Sequence, residues 1–242
     1  NYAVSKEWSD YINARVATTV SFEDFGSQVF LTDYVVRGNN FTNEAVTKLD
    51  SLTSEYLDGP KYLVMRKELQ GLKSIVRKDL TLILIYFGGA DADNFTTRVV
   101  KAVLSTKYTG QIIVVVGNSF RYCDELYDCC AEEKRITIMQ QPSNFIELMQ
   151  KSSLFIGAGG LNLWERVLLG LPSITIAIVP NQVPQVKSAK EHGLIFDLDA
   201  NDMEFRLCAL LNTLLYQTEI LQAQSEKCLK FMDSLGSHRV IS

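Results

Sequence analysis

The chain has 242 residues, 47% of them hydrophobic and 21% charged, with 24 Lys and Arg against 28 Asp and Glu for a net charge of −4. This is the composition of a globular chain with ample material for a core, and no low-complexity segment stands out. The mild negative charge, with no basic run and no aromatic–basic interleaving, argues against a nucleic-acid partner. It leaves room for a small anionic ligand, because local field rather than net charge governs such a site.

No apolar run reaches the roughly 18 residues a membrane span needs, so none is expected. No secretory leader is visible either, and the expected location is cytoplasmic. The five cysteines (Cys123, Cys129, Cys130, Cys208 and Cys228) are odd in number and contain no C-x-x-C pair. They read as reduced structural thiols, with a zinc or redox site as the alternative. The chain does not open on methionine, and Asn1 reads as mid-element. It is expected to be the later part of something longer.

Residues 1 to 76 are irregular. Ser5 to Asn13 reads as a short helix and Val16 to Phe22 as a strand rich in β-formers. Glu23-Asp24-Phe25-Gly26 is a turn, Tyr34 to Val36 a short strand, Gly38-Asn39-Asn40 a loop, and Asn43 to Leu52 a polar segment of no clear type. Asp58-Gly59-Pro60 is a turn, with a strand expected over Lys61 to Met65. These pieces read as the end of an N-terminal domain.

From Leu80 the character changes. Leu80 to Phe87 is a continuous apolar strand ending at Gly88-Gly89, and a helix follows over 94–105 with Asp93 as its expected N-cap. Strands are expected at Gln111–Val116 and Ile136–Met139, with helices at 120–132 and 144–150. Phe155-Ile156 ends a strand at Gly157-Ala158-Gly159-Gly160. A helix follows with Leu161, Trp164, Leu168 and Leu171 on its expected buried face, ended by Gly170 and Pro172. Ser173 to Val179 is an apolar strand of the kind covered on both faces. A helix at 184–192, a short strand at 194–196 and two helices at 201–214 and 218–234 complete the chain. Strands and helices alternate with short connections, which predicts a doubly wound parallel sheet.

Ligands of such sheets bind beyond the carboxyl ends of the strands. Gly88-Gly89 there reads either as a phosphate cradle or as a plain strand-to-helix turn; it is neither G-x-G-x-x-G nor a P-loop. Gly157 to Gly160, followed by a helix N-terminus, suits an anionic or hydroxyl-rich ligand. Glu165 reads either as an acceptor for adjacent sugar hydroxyls or as the second half of an Asn162-x-x-Glu165 capping box. Asn181 and Gln182 are loop residues or amides facing a polyhydroxyl ligand. His192 reads as a cation at a helix end, His238 as exposed, and Asp91 and Asp93 as helix starters. No Ser-His-Asp order, paired-carboxylate site or metal constellation emerges, so no catalytic residue, metal or cofactor is assigned.

The ordered set GGADADNFT, GAGGLNLWERVLLGLPSI, PNQ and a late EHG resembles the C-terminal domain of the nucleotide-sugar hydrolases of pseudaminic acid biosynthesis. Those enzymes cleave a UDP-linked 2,4-diacetamido-2,4,6-trideoxy sugar. Spore-coat polysaccharide biosynthesis proteins share the pattern. Both resemble the glycosyltransferase-B architecture of the lipid II-forming N-acetylglucosaminyltransferase. FEDFGSQVFLTDYVV, DGPKYLVMRKEL and DSLGSHRVI are similar to further parts of the family, so the resemblance spans nearly the whole chain.

It implies a truncated N-terminal domain over 1–76 and a Rossmann-like nucleotide-sugar domain over 77–242. It further implies that Glu165 grips the ribose hydroxyls of UDP and that Gly157, Gly159 and Gly160 pack against the nucleotide. Gln140 and Gln141 fall where backbone meets uracil, Asn181 and Gln182 face sugar or diphosphate, and Gly88 and Gly89 lie near the phosphates. The family's hydrolase activity goes with a histidine in an N-terminal glycine-rich loop, and neither His192 nor His238 matches it. The implied partner is a UDP-sugar. The implied context is surface-polysaccharide or nonulosonic acid synthesis, in a hydrolase or glycosyltransferase, or in a non-catalytic binding or scaffold domain fused to a sugar cytidylyltransferase.

Overall fold

A computed structural model describes residues 5–22, 32–38, 55–72 and 74–242. The turn expected at Glu23–Gly26, the loop residues Asn39 and Asn40 and the segment Asn43 to Leu52 lie outside the described residues. The chain divides into two compact units, Asn1–Gln70 with Asp233–Ser242, and Gly71–Met232.

The first unit opens on helix α1 (Lys6–Asn13), where the Ser5 hydroxyl accepts the Trp8 amide at 3.3 Å. Strands β1 (Val20–Phe22), β2 (Tyr34–Arg37) and β3 (Glu55–Asp58) pair in parallel in that order. The expected strand at Val16–Phe22 contracts to its second half, the part that meets β2. β3 was hidden in Glu-Tyr-Leu-Asp, whose mixed polarity gives no strand signal. Its Asp58 lies in register with Arg37 and accepts two hydrogen bonds from that buried guanidinium, at 2.6 and 2.5 Å. The strand expected at Lys61–Met65 is absent. Pro60–Tyr62 instead forms a 3-10 turn after Gly59 at φ 93°. The closing helix α9 (Gly236–Ile241) belongs to this unit; its Arg239 donates to the Lys61 carbonyl at 3.0 Å, and Gly236 sits against the Leu63 backbone too closely for any side chain.

The second unit is a six-stranded, all-parallel sheet with helices between its strands. Its strands are β4 (Leu82–Tyr86), β5 (Gln111–Val116), β6 (Ile136–Gln140), β7 (Leu154–Ala158), β8 (Ser173–Ile176) and β9 (Phe196–Leu198). Their spatial order is β6-β5-β4-β7-β8-β9. The chain builds outward from β4 to one edge, returns to lie beside β4, and builds outward to the other. β7 and β8 are buried along their whole length, but the covered strand expected over Ser173–Val179 ends at Ile176, and Val179 is exposed.

The helices are α2 (Phe95–Leu104), α3 (Cys123–Cys130), α4 (Phe145–Lys151), α5 (Asn162–Leu168), α6 (Val183–Glu191), α7 (Met203–Tyr216) and α8 (Thr218–Phe231). In α5 the buried face is Leu163, Trp164, Val167 and Leu168; Leu161, expected to be part of it, is 74% exposed because it sits at the N-cap. Trp164 stacks on Phe231 of α8 at 6.5 Å between ring centroids.

A buried guanidinium ties the lower ends of two helices together. Arg77 donates to the carbonyls of Met149 (3.4 Å), Gln150 (3.2 Å) and Ser152 (3.3 Å) at the end of α4, and to that of Leu169 after α5. Helix C-termini present unpaired carbonyls and negative dipole ends, so a cation there meets its natural acceptors. Burial lowers the Arg77 pKa to about 10, which leaves it charged at neutral pH. All five cysteines are free thiols, and burial pushes Cys130 and Cys228 up to about 12.

β4 and β7 meet with Tyr86 opposite Gly157, and a side chain at 157 would strike the Tyr86 carbonyl oxygen. Gly157→Ala is expected to destabilise the protein by about 1–3 kcal/mol through overpacking. Thermal or denaturant unfolding measures this, and an unchanged midpoint would contradict the close approach.

Candidate functional site

In a sheet wound in this order, the crevice opens where the winding reverses, between the carboxyl ends of β4 and β7. A glycine loop follows each strand there. β4 runs into Phe87-Gly88-Gly89 and β7 into Gly157-Ala158-Gly159-Gly160, so the two glycine loops leave neighbouring strand ends.

The β4–α2 loop is held rigidly. Gly88 (φ 95°), Asp91 (φ 42°) and Asn94 (φ 54°) all lie in the left-handed region, an unusual density of such residues outside glycine. The buried Asp91 carboxylate accepts the amides of Phe95 (2.9 Å) and Thr96 (2.7 Å), and the Asn94 side chain accepts that of Thr97 (3.4 Å). Asn94, not the expected Asp93, is therefore the N-cap of α2. Its own side-chain bond to Thr97 makes it so, and spacing alone does not show it. The first amides of α2 are thus committed to protein carboxylate and amide oxygens. What the loop presents outward is the backbone at Gly88 and Gly89, with open space where side chains would be. Helix α3 braces it: Tyr122 donates to the Ala92 carbonyl at 2.7 Å, and Asn94 donates to Glu125 at 2.9 Å. Gly117, after β5, approaches the Gly89 backbone too closely to carry a side chain.

The β7–α5 turn is pinned from three sides. The Gly159 amide donates to Ile176 of β8 at 3.1 Å, the Gly159 carbonyl accepts from Gln185 of α6, and the Ala158 carbonyl accepts from Arg166 of α5 at 3.1 Å. Gln185 was not singled out from sequence; the signal available was its place one helical turn after Gln182. A Cβ at Gly159 would meet Val186 and lie 3.6 Å from Gln182 Cβ, and one at Gly160 would lie 4.0 Å from Gln182 Nε2. The structure therefore brings Gly159, Gly160 and Gln182 together. Gln182 is oriented by accepting the Ile178 amide at 3.0 Å, while Asn181 is exposed beside it in the 3-10 turn Pro180–Gln182.

Glu165 is buried, at 6% exposure, in the first turns of α5. The N-cap is Leu161 and Asn162 is already helical, so Glu165 is the fourth helical residue. A capping box needs its acid at the third, so the Asn162–Glu165 box does not fit this register. Gln140 and Gln141 are exposed at the end of the edge strand β6, with Gln141 at φ 42° and its amide donating to the Val116 carbonyl at 2.9 Å. They lie three strand spacings from β7, roughly 14 Å, and do not touch the glycine turn. They share its edge of the sheet because all strands are parallel.

His192 ends α6, with Nδ1 2.9 Å from the Ser188 carbonyl, and His238 is exposed in the first unit. Among the described residues, no group of three or more His, Cys, Asp or Glu is placed to hold a metal ion, and no helix is long and apolar enough to cross a membrane.

Two parallel sheets with interleaved helices, and a glycine-lined crevice where the larger one reverses, define an α/β protein of the glycosyltransferase-B fold. MurG of Acinetobacter baumannii superimposes with a TM-score of 0.71 at 16% identity, over 98% of this chain and 69% of that one. WaaG, a glycosyltransferase of lipopolysaccharide biosynthesis, does so at 0.57 and 12%, over 93% and 76%. Within that fold, the chain belongs to the family described as protein of unknown function DUF354, matched over residues 46–209. It is 34% identical over 129 residues to the uncharacterized protein MJ1062 of Methanocaldococcus jannaschii, covering 50% of this chain and 27% of that protein. It is 22% identical over 192 residues to the spore coat polysaccharide biosynthesis protein SpsG of Bacillus subtilis, covering 77% and 56%. The chain thus spans about half or less of the length of these curated relatives.

Replacing Asp91 by Ala frees two helix amides in a buried loop. It is expected to cost about 1–2 kcal/mol, the upper range for loss of a cap. Chemical denaturation reads this, and a loss below a few tenths of a kcal/mol would show that Asp91 does not hold α2.

Proposed function

We propose that the second unit is the nucleotide-sugar site of a protein of surface-polysaccharide biosynthesis, with a UDP-sugar as its ligand. The observation that carries this is the pair of glycine loops on adjacent strand ends at the reversal of the sheet, with Glu165 and Gln182 beside the second loop. Glycine backbone suits close approach of a diphosphate. A carboxylate suits the paired hydroxyls of a ribose, and an amide suits the sugar or phosphate oxygens.

The similar structures support the ligand class. A protein of Anabaena, HepE, superimposes at a TM-score of 0.56 and 14% identity and is described in complex with UDP-glucose. The UDP-GlcNAc 2-epimerase of Neisseria meningitidis, at 0.52 and 14%, is described bound to UDP-GlcNAc. Likeness to SpsG supports the polysaccharide setting.

On this reading Gly88, Gly89, Gly157, Gly159 and Gly160 line the nucleotide diphosphate, Glu165 holds the ribose, Asn181 and Gln182 face the sugar, and Gln140 and Gln141 meet the base. The whole protein then hydrolyses or transfers the sugar. The narrower reading, hydrolysis of a UDP-linked diacetamido-trideoxy sugar in nonulosonic acid synthesis, rests on the GAGG, WE and GLP motifs. His192 supplies no base on this face: it sits at the far end of α6, bound to Ser188. A binding module without chemistry, fused to a sugar cytidylyltransferase, is the competing reading; release of UDP from a UDP-sugar by the full-length protein would reject it.

Calorimetric titration with UDP tests the site. Binding in the micromolar to sub-millimolar range is expected, and Glu165→Gln should weaken it about tenfold, or about 1.4 kcal/mol, with the melting temperature nearly unchanged. No heat at millimolar UDP would sink the nucleotide reading. Unaltered affinity in the variant would remove Glu165 from the site.

A further inference from the structure

Arg166 stands out among the buried residues because stability gives little reason for its presence. It is fully buried, and among the described residues only Nη2 of its three guanidinium nitrogens has a hydrogen-bond partner, the Ala158 carbonyl at 3.1 Å. Its Cζ lies 4.2 Å above the Phe155 ring of β7. Desolvation lowers its pKa to about 9, opposed by the neighbouring Glu165 charge, so it remains a cation at neutral pH. A buried cation with unused donors is usually no better for stability than an apolar side chain of the same volume. Arg77 shows the contrast: it is spread over five backbone carbonyls and satisfies the ends of two helices.

The one bond Arg166 makes falls at a telling place. Ala158 is the last residue of β7, and the next residues are Gly159 and Gly160. Glycine turns have the widest conformational choice of any backbone, so an unpinned one would sample many states. We propose that Arg166 is a positioning residue: its guanidinium fixes the Ala158 carbonyl and so presets the Gly159–Gly160 turn for the ligand. It acts through the backbone and does not touch the ligand. Flanking bonds from Ile176 and Gln185 hold Gly159 on its other sides, which leaves the entry to the turn to Arg166. The effect on ligand affinity rests on the nucleotide reading above; the effect on the turn does not.

The test compares the full chain with Arg166→Met and Arg166→Lys in three measurements: thermal melting, UDP calorimetry, and amide exchange of the peptide covering 157–162. Met keeps the volume and the contact with Phe155 but loses the donor; Lys keeps a donor and the charge. Arg166→Met should melt at or above the wild-type temperature, lose at least tenfold in UDP affinity, and exchange faster at 157–162 while other peptides are unchanged. Arg166→Lys should recover most of the affinity and protection. Wild-type exchange in Arg166→Met would overturn the proposal, as would a large fall in its melting temperature, because the guanidinium would then serve folding. If the wild-type chain binds no UDP, the nucleotide reading fails by itself, and the exchange measurement still decides whether Arg166 holds the turn.

Discussion

The structure turns on the contact between β4 and β7. These strands are far apart in sequence yet lie side by side, with Gly157 facing Tyr86 where no side chain fits. Within the six-stranded sheet, β5 and β6 lie to one side of this line and β8 and β9 to the other. Helices leaving the two ends must then diverge, and the backbone between them is left uncovered. The crevice is a consequence of the winding, and the glycines are the residues that let the chain exploit it.

The two loops that border the crevice are held in different ways. The β4–α2 loop is fixed by local chemistry: Asp91 and Asn94 take the first amides of α2, and α3 braces the loop from the side. That arrangement spends the positive end of the helix on protein oxygens and leaves glycine backbone as the loop's outward face. The β7–α5 turn is fixed by distant residues, Ile176, Gln185 and Arg166, one from each surrounding element. A loop closed by its own residues is formed when its helix forms. A turn held from three elements is correct only when all three have packed, so its geometry reports on the state of the whole unit.

Much of the architecture was legible because buried parallel strands leave a plain trace. Leu80 to Phe87, Gln111 to Val116 and Ser173 to Val179 read as apolar strands, and each contains one: β4, β5 and β8. The errors fell where that signal is weak or ambiguous. β3 carries Glu, Tyr, Leu and Asp and was missed, while the apolar Leu63 and Met65 drew a strand to a segment that follows a 3-10 turn. Leu161 matched a helical spacing but fell at the N-cap, where the side chain points to solvent. Asp93 matched a capping position in spacing, but Asn94 is the N-cap, and Asp91 reaches forward to the amides of Phe95 and Thr96. Spacing fixes which residues share a face; it does not fix which of several nearby polar side chains reaches the free amides.

By itself the sequence determined the α/β class, the glycine loops at strand ends and the candidacy of Glu165. Each of these follows from local composition: apolar runs bury, glycines turn, and an acid early in a helix is either a cap or a ligand. Tertiary structure alone decided between such alternatives. It placed Glu165 one residue past the capping position, joined Gly160 to Gln182 across a separate element, and separated Gln140 and Gln141 from the turn by the width of three strands. It also exposed Arg166, which in the sequence is one more charged residue on a helix and in the fold is a buried cation bonded to the strand end that begins the turn. The reason is physical: burial and strand order are properties of the whole sheet, and no window of local sequence contains them.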